Sequence, residues 1–133
     1  MIYQINFKLE KIPSYNVFEK WHWAKKMKFK KEIVRNIFYL LKEIQCPRFN
    51  KIKVDYQIRL SSKHQRDTDN YEYLKKLIND GIKIICLPMK YKMKKGNIID
   101  FDYKDDAEHL KQGEFSIIIG NKKNEIEVRI EPL

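Results

Sequence analysis

The most restrictive feature of the chain is a ten-residue stretch of strict two-residue periodicity. Ile52, Val54, Tyr56, Ile58 and Leu60 alternate with Lys51, Lys53, Asp55, Gln57 and Arg59. Successive side chains of a strand point to opposite faces, so residues 51–60 predict a strand with one apolar and one polar face. Such a strand needs a cover on one side only. A segment of different period can supply it. Ile33, Ile37, Leu40, Leu41 and Ile44 fall at i, i+4, i+7, i+8 and i+11, the stripe of a helix expected over about 17–45. Cys46-Pro47 ends that helix, because the residue before a proline is pushed out of the helical region.

Ile5, Phe7 and Leu9 alternate with polar residues and predict another strand over 2–9, closed by the loop Pro13-Ser14-Tyr15-Asn16. A second helix is expected over about 70–85. Residues 114–119 and 125–131 read as a closing β-hairpin around Gly120-Asn121-Lys122-Lys123-Asn124. With 133 residues, 43% of them apolar, there is material for one core and one domain spanning 1–133. The expected fold class is α+β: a mixed β-sheet with two main helices, in the order β-α-β-α-(β-hairpin)-β-β.

Composition removes several alternatives. Four glycines and four prolines are too few for a low-complexity or collagen-like chain. No apolar run reaches the roughly 18 residues of a membrane span, and residues 1–10 lack the basic-then-apolar order of a secretory leader. Cys46 and Cys86, 40 residues apart in no motif, argue against a disulfide framework or a cysteine zinc site. A cytoplasmic protein without a membrane partner is expected.

The net charge of +10 is unevenly spread. Residues 1–66 carry 16 basic and 5 acidic side chains, whereas residues 67–133 carry 12 and 13. A basic half joined to a half rich in carboxylates suits a polyanion held against a metal, although a lysine-rich surface of an AT-biased or heat-adapted organism would have the same balance. The lysines at 20, 25, 26, 28, 30 and 31 are interleaved with Trp21, His22, Trp23 and Phe29. That mixture suits phosphate contact and base stacking, with Lys25 and Lys28 as candidate DNA contacts, and equally suits a helix with one aromatic face.

The chemistry is concentrated in Arg66-Asp67-Thr68-Asp69-Asn70. In extended chain Asp67 and Asp69 project to one side, and a hard divalent cation relieves their repulsion. The plainer reading is that Asp69, three residues before Glu72, caps the following helix. If one helix runs on from Asp69, then Tyr73, Lys76 and Asp80 share its polar stripe, opposite Leu74, Leu77, Ile78, Gly81 and Ile85. Lys76 could support charge on a scissile phosphate, or simply pair with Asp80. Asp100, Asp102, Asp105 and Asp106 offer further ligands, and spacing does not choose among them.

Taken together, these motifs resemble the RusA family of Holliday junction resolvases. The resemblance rests on Pro13-Ser14-Tyr15-Asn16, on Arg66-Asp67-Thr68-Asp69-Asn70, on Lys76 with Asp80, and on Asp105-Asp106-Ala107-Glu108 before the terminal strands. It implies a homodimeric, Mg²⁺-dependent endodeoxyribonuclease, with Mn²⁺ as a substitute, that nicks opposed strands of four-way junction DNA in recombination and repair. Carried over by position, Asp67, Asp69 and Asp106 would ligate the metal, Asp105 would be an extra ligand, Lys76 a catalytic aid and Arg66 a phosphate contact. The rival expectations are a nuclease of the same fold acting on other branched DNA or on RNA, and a DNA-binding module without catalysis. A metal-independent ribonuclease would need acid–base pairs, and His22, His64 and His109 share no motif.

Residues 89–101 have no counterpart in that family pattern. They predict a β-hairpin with a Lys94-Lys95-Gly96 turn, in which Met93 pairs with Asn97, Lys92 with Ile98, Tyr91 with Ile99, Lys90 with Asp100 and Met89 with Phe101. Lys94 and Lys95 at its tip would then reach a phosphate backbone.

Overall fold

The structure is a computed structural model, and it describes residues 1–62, 68–87, 91–94, 97–101 and 109–133. Strands β1 (Tyr3–Lys8), β2 (Ile52–Arg59), β5 (Leu110–Ile118) and β6 (Glu125–Pro132) form a mixed sheet in the order β1-β6-β2-β5. Helices α1 (Tyr15–Glu19), α2 (Trp23–Glu43) and α3 (Tyr73–Cys86) complete the main body, with a 3₁₀ turn over Thr68–Tyr71. Strands β3 (Tyr91–Lys94) and β4 (Asn97–Phe101) pair separately. The α+β class with two main helices is the one its periodicities predict.

The alternation of β2 is realised residue by residue. Ile52, Val54 and Ile58 are fully buried and Tyr56 nearly so, while Lys53, Asp55, Gln57 and Arg59 are half-exposed on the other face. Ile126, Val128 and Ile130 of β6 lie on the buried side next to them, and Ile5 and Phe7 of β1 extend that apolar surface. Ile33, Ile37 and Leu41 of α2 and Leu74, Ile78 and Ile82 of α3 join the same core. The two helices pack closely at Gly81, where an added Cβ would stand 3.0 Å from Ile37 Cβ. Buried polar groups are matched: Tyr56 Oη donates to Asn79 Oδ1 at 2.5 Å.

Four expectations need correction. The last two strands are not a hairpin: β2 lies between them, parallel to β5 and antiparallel to β6. Their connection straddles the end of β2, where Leu60 N donates to Ile118 O, Asn121 N to Leu60 O and Gly120 N to Ser62 O. Gly120 takes the left-handed conformation (φ 75°) in that crossing. Local alternation marks strands but cannot say which neighbour each one takes.

The helix expected over 17–45 is two helices. His22 breaks it with an extended backbone and caps α2, its Nδ1 accepting from Ala24 N at 3.2 Å. The helix expected from residue 70 is likewise interrupted, since the 3₁₀ turn ends at Tyr71 and α3 begins at Tyr73. The 89–101 hairpin exists with a different register. Lys94 pairs with Asn97, Met93 with Ile98, Lys92 with Asp100 and Tyr91 with Phe101, with a register shift between Lys92 and Met93. Two residues between paired ends is the favoured hairpin length, and the irregularity absorbs the odd residue.

Among the described residues no helix is long and apolar enough to cross a membrane.

Candidate nucleic-acid cleft

Two segments far apart in sequence meet at the start of α3. After β1 the chain is tied to the 119–124 connection by a hydrogen bond from Leu9 N to Asn124 O at 3.1 Å. It then buries Ile12 and turns at Ser14, whose carbonyl accepts from Val17 N and Phe18 N to start α1. α1 points Phe18 inward. The Tyr73 ring stacks on it, with centroids 4.8 Å apart and planes 22° apart, and Tyr73 Oη donates to Pro13 O at 2.7 Å. Burial pushes the Tyr73 phenol well above its ordinary pKa, so the hydroxyl stays protonated as that donor. The first turn of α3 thereby clamps the Pro13-Ser14 loop, and Asp69 lies four residues upstream in the 3₁₀ turn.

A cleft of about 310 Å³ opens beside this junction. Its lining includes the apolar Pro13, Val17 and Trp21 together with Ser61, Ser62 and the buried Tyr71. Ser62 and Tyr71, which line the cleft, flank residues 63–70 in the chain. Lys11 and Lys25 stand on its rim, both exposed. Lys25 Nζ sits 4.2 Å from the Trp21 ring centroid, a cation–π contact that orients the ammonium without neutralising it. Neither lysine has a carboxylate within ion-pair distance among the described residues. Asn124 holds the wall in place, accepting from Ser61 N through Oδ1 at 2.9 Å and donating through Nδ2 to Glu10 O at 3.0 Å.

Of the predicted site residues, Asp69 is exposed in the 3₁₀ turn, and Lys76 is exposed on α3. Lys25 and Lys28 are exposed on α2, one helical turn apart and so on one face. Lys94 belongs to β3. Arg66, Asp67, Lys95, Asp105 and Asp106, and also His64, lie outside the described residues. The continuous polar stripe from Asp69 through Tyr73 to Asp80 does not form. The break at Glu72 ends the 100° progression, Tyr73 turns into the aromatic cluster, and Asp80 pairs with Lys83 at 3.8 Å. His22 and His109 have backbone partners, Ala24 N and Asn50 O respectively.

Among the described residues no three His, Cys, Asp or Glu side chains form a group able to hold a metal. Of the four expected ligands only Asp69 is among them. Hard carboxylate oxygens are the donors that Mg²⁺ or Mn²⁺ takes, so the chemistry of the expected set fits the ion. Lys11, Ser61, Ser62 and Tyr71 were not singled out by sequence. The signal for the serines is their place between the end of β2 and Arg66; Lys11 carries none. No protein-family model matches the chain, and no curated protein matches it significantly.

Proposed function

We propose that this chain is a metal-dependent, structure-selective endodeoxyribonuclease of the RusA type, acting in the cytoplasm as a homodimer on four-way or other branched DNA. The observation that carries this reading is the convergence of Pro13 with Ser62 and Tyr71, which flank the acidic segment in the chain, on one cleft whose rim lysines have no carboxylate partner among the described residues. A sugar-phosphate strand fits such a cleft. Lys11 and Lys25 meet its phosphates, and Val17, Pro13 and Trp21 pack against the sugar.

Within this reading Asp67, Asp69 and Asp106 hold the divalent cation, with Asp105 as a further carboxylate. When bound, the cation supplies Lewis-acid stabilisation of the scissile phosphate. Arg66 fixes the phosphate's position, and Lys76 offsets negative charge as it develops. Lys28 extends the cationic track along α2, and Lys94 and Lys95 contact the backbone from the β3–β4 hairpin. A twofold dimer places two such sites for nicks on opposed strands.

The test compares a four-way junction, a fork and linear duplex, each with Mg²⁺ and with EDTA. The reading expects paired nicks in the junction with Mg²⁺ and none with EDTA, and weak cleavage of linear duplex. Tight junction binding without cleavage in any metal would instead establish a binding module, and equal cleavage of all three substrates would remove structure selectivity.

A further inference from the structure

The far end of the helical layer carries a pair of groups that no nuclease step uses. Cys46 Sγ and Cys86 Sγ are free thiols 3.2 Å apart, in hydrogen-bond contact and buried. A disulfide of about 2.05 Å requires the sulfurs to close by only about 1 Å. Their backbones are already held face to face. Cys46 is the second residue beyond the cap of α2. Gln45 before it takes the left-handed conformation (φ 55°), and Cys46 N donates back to Leu41 O at 3.0 Å. Cys86 is the last residue of α3, and its carbonyl accepts from Phe49 N at 2.7 Å. Arg48 Nη1 donates to the next carbonyl, that of Leu87. The chain leaving α2 is therefore tied to the end of α3 just beyond the two sulfurs.

We propose that Cys46 and Cys86 are a dithiol modification site that small hydroperoxides convert to an intramolecular disulfide. The roles of the two sulfurs differ. Cys46 is 8% exposed and Cys86 is fully buried, so an oxidant reaches Cys46 first. Either thiol can donate in the Sγ–Sγ contact; that contact lowers the Cys46 pKa, while the same contact and burial raise the pKa of Cys86. The Cys46 thiolate attacks one peroxide oxygen. The O–O bond breaks, the distal oxygen leaves and is protonated to water or an alcohol, and Cys46 becomes a sulfenic acid. The Cys86 sulfur then attacks the Cys46 sulfur. The S–O bond breaks, and the departing hydroxide takes the Cys86 proton as water. Overall, two thiols and one hydroperoxide give one disulfide, one alcohol or water, and one water. The new bond links α2 to α3 and closes a loop spanning 40 residues of separation, so it restricts the unfolded chain. This inference does not depend on the nuclease reading.

The test treats the reduced full-length protein with a small excess of hydrogen peroxide, then unfolds and alkylates it for intact-mass analysis. Both alkylation sites should disappear together, with a mass lower by two hydrogens. The product should remain a single chain, and its thermal midpoint should rise by on the order of 10 °C, reversibly with dithiothreitol. Persistence of both thiols, over-oxidation of Cys46 with Cys86 still free, or a disulfide between two chains would each overturn the proposal. In Cys86→Ala a dimedone adduct should accumulate at Cys46, whereas in Cys46→Ala none should form at Cys86. An adduct at Cys86 alone would reverse the assigned roles and contradict the mechanism. The wild-type mass shift decides the matter without any variant.

Discussion

Two polar surfaces of this molecule carry similar side chains and teach opposite lessons. On the open face of the sheet Arg59 forks onto Glu125 and Glu127 at 2.9 and 2.8 Å. Glu127 also meets Arg129 at 3.3 Å and Gln4 Nε2 at 2.9 Å, and is only 5% exposed. Asp55 on that face accepts from Glu114 N at 2.8 Å, closing the irregularity opposite Gly113. Charge there is spent internally. At the cleft, Lys11 and Lys25 have no carboxylate partner among the described residues. Cations satisfied by neighbours hold a fold together; cations left facing solvent beside a cleft attract an anion from outside.

The contrast can be broken by exchanging what is removed. Lys11→Gln with Lys25→Gln should lower junction affinity on the order of fiftyfold at about 0.1 M salt, and should reduce the slope of log affinity against log salt by about 2. Fluorescence anisotropy across a salt series measures both. Thermal stability of that variant should barely change. Arg59→Gln should do the reverse, leaving the salt slope intact while costing roughly 1–3 kcal/mol in chemical denaturation, because a nearly buried Glu127 loses its fork.

How much of this was legible beforehand follows from the range of the interactions. The alternation in 51–60 and the stripe in α2 are local patterns read against one core: Ile33, Ile37 and Leu41 are fully buried and Leu40 half-buried as that stripe requires, whereas Ile44 lies past the end of α2 and is exposed. Pairing partners are not local. Nothing in residues 110–132 says that β2 will insert between the last two strands, since that choice is made by burial of Ile126, Val128 and Ile130 beside Val54, Tyr56 and Ile58. The acidic motif was visible as spacing, yet the cleft was not, because Lys11, Trp21, Ser61 and Tyr71 come from four separate segments. The tie between the Pro13 carbonyl and Tyr73 spans 60 residues and left no periodic signal. A pair of cysteines 40 residues apart is equally silent until two helix ends meet.

Smaller changes sharpen the account. Tyr73→Phe keeps the stacking on Phe18 and deletes only the hydrogen bond to Pro13. It should cost about 0.5–1.5 kcal/mol in stability and loosen the wall of the cleft, so junction affinity should fall without a change in salt slope. The phenols of Tyr56 and Tyr73 are both raised by burial. In the unfolded chain they ionise near pH 10, so their contribution is complete below that pH and declines above it, as the unfolded state sheds protons that the folded state keeps. Denaturation midpoints measured between pH 8 and 11 should fall only over the upper part of that range, and Tyr73→Phe should flatten the fall. Gln45→Gly removes a side chain from a left-handed position at the end of α2 and should raise stability by a few tenths to about 1 kcal/mol.

The central proposal is that the carboxylates of the two acidic motifs do chemistry on a nucleic acid that the cleft lysines hold. Asp69→Asn separates the two roles most directly, because it removes one negative charge at an exposed position and leaves the side chain's size unchanged. Cleavage of a labelled four-way junction in Mg²⁺ should drop by at least about a thousandfold, while junction affinity measured in EDTA should be equal to or tighter than that of the unaltered protein. A variant that cuts the junction at the normal rate would contradict the account.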